Sequence, residues 1–132
     1  MSCFFEEGLK IADIVSLSVP LTSQTKNMIN IKNMQIMKKN AIIINTSRGG
    51  VVNEKDLNNA LDKGIIFGAG LDVFEKEPPD LSNPILKNKK IVLSPHAATF
   101  TKDCLKKMSL ETVQNILDFF EGKVNESMIV KL

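Results

Sequence analysis

The sequence predicts an α/β fold: an open parallel sheet with few strands, ending in a long helix. Three observations carry that expectation. Short, nearly continuous apolar runs alternate with helical patterns, as strands buried in a parallel sheet do. Proline or glycine punctuates the segments. The chemically capable polar residues collect just after the apolar runs instead of within them.

Ile14–Val19 reads as the first buried strand, stopped by Pro20, which cannot donate to a ladder. Ala41–Ile44 is the second, β-branched and almost uninterrupted. Phe67–Val73 is the third, with glycines at 68 and 70, where something must approach the backbone closely. Ile91–Leu93 is the fourth, stopped by Pro95. Such runs imply a sheet covered on both faces. Between them, Asn53 is placed to cap a helix through Lys63, with Glu54 and Asp56 in its first turn and Gly64 at its end. Ile31–Met37 is a shorter helix, and Glu6–Ile11 the tail of another. From Thr101 to Glu121, Leu105, Met108, Val113, Ile116, Leu117 and Phe120 recur at helical spacing before Gly122. Glu77–Pro84, rich in proline and aspartate, reads as a surface loop.

Composition narrows the function classes. The chain has 132 residues, 43% apolar and 24% charged, enough for one modest core. Its formal charge of +2, from 17 basic and 15 acidic side chains, gives no basic footprint for nucleic acid or an anionic membrane. No apolar run approaches the roughly 20 residues that span a bilayer, and no secretory signal pattern opens the sequence. Cys3 and Cys104 stand in no metal or redox spacing, so neither a disulfide framework nor a metal site is expected, and the cytoplasm is the expected compartment.

Ligands of open α/β sheets bind beyond the carboxyl ends of the strands. Asn45-Thr46-Ser47-Arg48-Gly49-Gly50 follows the second apolar run, Asp72–Pro78 follows Phe67–Leu71, and Ser94-Pro95-His96-Ala97-Ala98-Thr99 follows the fourth. Arg48 is the only arginine, and a planar guanidinium suits a carboxylate held by two parallel hydrogen bonds. The alternative is an arginine that caps or salt-bridges a neighbouring element. His96, the only histidine, is the natural proton donor or acceptor near neutral pH, or else a surface residue. Glu77 on a neighbouring loop is placed to pair with it, although Glu75 and Lys76 equally suggest a solvated charged loop. Asp72 either serves a ligand or caps its own loop through an Asx turn. An acid/base His–Glu pair with an arginine anion clamp follows, the reaction left open.

Four motifs, DIVSLSVPLT at Asp13–Thr22, NTSRGG at Asn45–Gly50, GLDVFEKEP at Gly70–Pro78 and SPH at Ser94–His96, closely resemble signatures of the D-isomer-specific 2-hydroxyacid dehydrogenases. Their order and spacing match roughly from Phe5 to Gly122. The resemblance implies the second half of a Rossmann-type NAD-binding domain, a partial doubly wound parallel sheet, over residues 1–122. A tail, 123–132, would return to a substrate domain. It further implies that Arg48 holds the substrate carboxylate, that His96 exchanges a proton with the carbonyl oxygen, and that Glu77 keeps His96 protonated. Asp72 would bond the nicotinamide carboxamide, and Val19, Thr46, Ser47 and the backbone of His96, Ala97, Ala98 and Thr99 would line the nicotinamide side of the NAD site. A small 2-hydroxy or 2-oxo acid is the implied substrate.

The sequence also departs from the family. It has neither the glycine-rich pyrophosphate loop nor the acidic ribose-binding residue, so NAD and NADP are not distinguished and a part N-terminal to these residues is expected to be missing. Weak cofactor binding and self-association, as a homodimer or otherwise, are the expected consequences. Two other functions stay open: an NADH-sensing protein like the C-terminal binding protein corepressors, and a catalytically dead remnant.

Overall fold

The computed structural model describes residues 4–129. The chain divides into two compact units, Met1–Ala97 and Ala98–Leu132. The first holds β1 (Ile14–Leu17), β2 (Ile42–Asn45), β3 (Gly68–Leu71) and β4 (Ile91–Leu93), all parallel, side by side in chain order. Between and before them run α1 (Phe5–Ile11), α2 (Ile31–Gln35), α3 (Glu54–Asp62) and a 3-10 turn over Pro84–Lys87. β1 and β3 are shorter than their apolar runs, because pairing ends on one common row, Leu17–Asn45–Leu71–Leu93.

Within the first unit, the connecting segments cover one face of the sheet. Val15, Leu17, Ile43, Ala69, Leu71, Ile91 and Leu93 join a single core with Ile29, Met34, Leu57, Leu61 and Ile85 from the connecting segments. Each fully buried side chain of this kind contributes about 1.5–3 kcal/mol. The alternate residues stay outside that cluster, and Ile14 and Val92 are 63% and 77% exposed. Crossovers of constant hand that always step to the next strand land on the same side, so these connections cover one face. Apolar patterning cannot reveal this, since both faces of each strand are apolar. The close approaches expected at the third strand come from both neighbours: a Cβ on Gly70 would lie 3.1 Å from Ile44 Cδ1, and one on Gly68 would lie 3.3 Å from Lys90 O.

Local punctuation behaves as its chemistry dictates. Asn53 caps α3 by accepting from Asp56 N, and the residues at the two predicted stops, Gly64 and Gly122, take φ of +65° and +69°. In the second unit, α4 (Lys102–Phe120) is capped by Thr101, whose hydroxyl accepts from Cys104 N, and it buries none of its residues. A 3-10 turn over Glu126–Met128 follows. Residues 130–132 of the expected tail, and Cys3, lie outside the described residues. Among those residues no helix is long and apolar enough to cross a membrane.

Candidate active site

The row that ends the sheet sets the site. Ser18, Thr46, Asp72 and Ser94 are the first residues past Leu17, Asn45, Leu71 and Leu93, so four polar segments leave the sheet at one edge. Parallel neighbours lie about 4.8 Å apart, which puts the Arg48 strand and the His96 strand roughly 10 Å apart across β3.

Asn45 shapes the first segment. It is 1% exposed, its Oδ1 accepts from Ser47 N (3.1 Å) and Ser47 Oγ (2.8 Å), and its Nδ2 donates to Arg48 O (3.0 Å). These bonds tie the backbone of Asn45–Arg48 into a rigid turn. The Arg48 side chain is exposed. Its Nη1 donates to Ser47 O at 2.6 Å, and among the described residues no carboxylate forms an ion pair with it. The salt-bridging alternative for Arg48 therefore finds no partner there. Ser18, Val19, Leu21, Thr46, Ser47 and Arg48 line a cavity of about 510 Å³.

His96 and Glu77 are brought together. His96 Nδ1 lies 2.8 Å from Glu77 Oε2, and Glu77 Oε1 accepts from Phe74 N at 3.0 Å. The His96 hydrogen bond, and after it that of Phe74, hold the Glu77 carboxyl below the usual carboxylate range, against burial and the nearby charge of Asp72. The pair borders a second cavity of about 430 Å³, walled mostly by Phe74, Pro78, Pro79, Leu86, Leu93 and Pro95. Arg48 lines the other cavity, so the structure unites two of the three predicted catalytic residues and sets the third beyond β3.

Asp72, 3% exposed, organises the turn that carries His96. Its Oδ1 accepts from Ser94 Oγ and from Ala97 N (2.8 Å), while its carbonyl accepts from His96 N (2.8 Å). Between those ties His96 takes φ +53°, a left-handed backbone uncommon outside glycine and needing such support. Ala98 and Thr99 belong to the second unit. Asn45 and Ser94 are structuring residues that attention to charged groups passes over. The signal for Asn45 was an amide ending an otherwise β-branched strand.

A parallel α/β sheet with an exposed arginine and a His–Glu pair at the carboxyl ends of its strands has the build of a nucleotide-binding α/β domain. Residues 2–98 match the family described as D-isomer specific 2-hydroxyacid dehydrogenase, NAD binding domain, and the chain belongs to that family. It is 43% identical over 124 residues to the glyoxylate reductase of Korarchaeum cryptofilum, covering 94% of this chain and 37% of that protein. It is 39% identical over 123 residues to a D-3-phosphoglycerate dehydrogenase of Methanocaldococcus jannaschii, covering 93% of this chain and 23% of that protein. Among solved structures, it resembles the NAD-complexed D-isomer specific 2-hydroxyacid dehydrogenase of Lactobacillus delbrueckii ssp. bulgaricus with a TM-score of 0.82 and 33% identity, over 96% of this chain and 42% of that one. The chain thus spans well under half the length of these relatives.

The first cavity has a mixed lining. Val19 offers an apolar wall, and Thr46, Ser47 and Arg48 offer polar groups on the opposite strand. No glycine-rich strand-to-helix turn for a pyrophosphate occurs in the sequence.

Proposed function

We propose that this chain supplies the catalytic half of an NAD(H)-linked 2-hydroxyacid dehydrogenase, interconverting a small 2-oxo acid and its 2-hydroxy acid. The observation that carries the reading is a division of roles at the sheet edge. Arg48 has a guanidinium with no carboxylate partner among the described residues, while His96 has its Nδ1 already engaged by Glu77.

Arg48 binds the substrate carboxylate through its planar fork and polarises the adjacent carbonyl. Glu77 accepts from Nδ1–H, which leaves Nε2 as the working atom of His96. In the imidazolium form Nε2–H gives its proton to the carbonyl oxygen, and in the neutral form Nε2 takes it back. Val19, Thr46, Ser47, Asp72 and the backbone of His96 and Ala97 hold the nicotinamide. The bound cofactor supplies the hydride; the protein supplies orientation and charge. Asp72 also holds the His96 turn, so it serves both partners of the transfer.

Glyoxylate, named for several relatives, is the first substrate to try, ahead of phosphoglycerate and lactate-type acids. The chain acts in the cytoplasm, and its open sheet face and the apolar stripe of α4 favour self-association. Binding of nucleic acid or membrane is not part of the reading. NADH oxidation by the full-length gene product with glyoxylate or another 2-oxo acid, lowered about a hundredfold or more by His96→Ala, tests it. Cofactor binding without turnover of any 2-oxo acid would favour a sensor.

A further inference from the structure

Glu54 stands outside the motifs that carry the family resemblance, on α3, yet its side chain is 8% exposed and fully engaged. Its Oε1 accepts from Glu75 N, and its Oε2 accepts from Asn83 Nδ2 at 2.8 Å. Glu75 returns the bond: its Oε1 accepts from Glu54 N at 2.9 Å, at the amino end of α3, where negative charge is favoured. Two carboxylates thus lock each other's backbone across 21 positions of sequence.

The peptide they lock matters. Phe74, which gives that peptide its carbonyl, anchors Glu77 Oε1 through its own N–H one peptide earlier, and Glu77 Oε2 in turn holds His96 Nδ1. On its other side, Gly49 packs so tightly that a Cβ there would fall 1.7 Å from Phe74 O. Residues 49–54 therefore grip the Phe74–Glu75 peptide at two points, one beside Arg48 and one at the start of α3.

We infer that Glu54 is a positioning residue: through Glu75 and the Phe74–Glu75 peptide it sets the Glu77 carboxylate against His96, coupling that pair to the Arg48 loop. This rests on the reading of His96 and Glu77 as a working pair, but its test needs no turnover. Buried, mutually satisfied polar contacts of this kind specify one arrangement of the groups they join. A loop without them would leave Glu77 to water and let the imidazole choose its tautomer freely.

His96 is the sole histidine, so its ring nitrogens are observed without interference in the 132-residue chain. Imidazole ¹⁵N shifts of the neutral ring report whether the proton sits on Nδ1. Wild type is expected to show a dominant Nδ1–H form and slow exchange of the Phe74 amide. Glu54→Ala is expected to lose both, and Glu54→Gln, which keeps an acceptor for Glu75 N, to retain most of both. Ile29→Val in the core serves as a control that lowers stability while leaving both signals in place. If Glu54→Ala fails to fold, Asn83→Ala, which removes one of the two tethers, is expected to give a partial loss. Glu54→Ala, or in its place Asn83→Ala, with wild-type tautomer and exchange would overturn the inference. So would equal losses in Ile29→Val. Absence of the Nδ1–H form in wild type would instead overturn the pair itself.

Discussion

The Arg48 loop and the His96–Glu77 pair leave the same edge of one sheet, yet they are built in opposite ways. In the loop the backbone is fixed, by two hydrogen bonds that the buried Asn45 side chain makes with Ser47 N and Arg48 O, while the Arg48 side chain is exposed and has no carboxylate partner among the described residues. In the pair the side chains are fixed by one another, and the backbone of His96 is held at positive φ by Asp72. A group that must grip a charged ligand is best left without an internal partner. A group that must move a proton from one nitrogen is best held by the other.

The largest expected effect on stability falls where the two regions touch. Gly49→Ala pushes a methyl into the Phe74 carbonyl, so backbone must move. Overpacking of this kind costs about 1–3 kcal/mol, occasionally more. We expect the upper end of that range in urea denaturation, with loss of the Nδ1–H tautomer. A cost indistinguishable from zero would mean the two loops are not in contact in solution.

Next comes the pair. In the full-length gene product, His96→Ala is expected to lower kcat for a 2-oxo acid by about 10²–10⁴-fold, the usual weight of a positioned acid/base. KM should move little, since the proton is transferred in the transition state. Arg48→Lys separates the regions, because a lysine keeps the charge but loses the fork; it should raise KM by about tenfold or more, the equivalent of roughly 1.4 kcal/mol. Should the two variants show the same kcat and KM pattern, the division of roles would fail.

The smallest effect is electrostatic. The Glu77 carboxyl titrates below its ordinary value of 4.5 because His96 and then the Phe74 amide bond its ionised form. Its folded-state pKa is depressed, so the associated stability is present above the unfolded value and is lost as pH falls through the folded one. Both side chains are more than a third exposed, so solvent screening keeps that contribution under about 1 kcal/mol. Carboxyl ¹³C titration should show the Glu77 midpoint rising in His96→Ala. An unchanged midpoint would remove the pair.

Much of this was legible in the sequence, and the reason is local chemistry. Asn53, Gly64, Thr101 and Gly122 act on their own neighbours, so the ends of α3 and α4 follow from residue type. The strand-end placement of Arg48, Asp72, Glu77 and His96 followed from where apolar runs stop. What stayed hidden depends on interactions between distant segments. Glu54 and Glu75 look like a helix-start charge and a solvated loop charge until folding sets them together. Likewise, Ile42–Ile44 cannot say which of its faces will meet helices.

Cofactor binding tests the other half of the account. The sequence contains no glycine-rich turn for a pyrophosphate, so the isolated chain is expected to bind NADH weakly or not at all by calorimetry. Micromolar affinity would show that the strand-edge cavity suffices alone.

The central claim is that Arg48, which has no carboxylate partner among the described residues, receives a substrate carboxylate. Its most direct test is the ratio of kcat/KM for a 2-oxo acid to that for its uncharged amide, measured in the full-length gene product and in Arg48→Lys. We predict a strong preference for the acid that largely disappears in the variant. A preference that survives the substitution unchanged would contradict the claim.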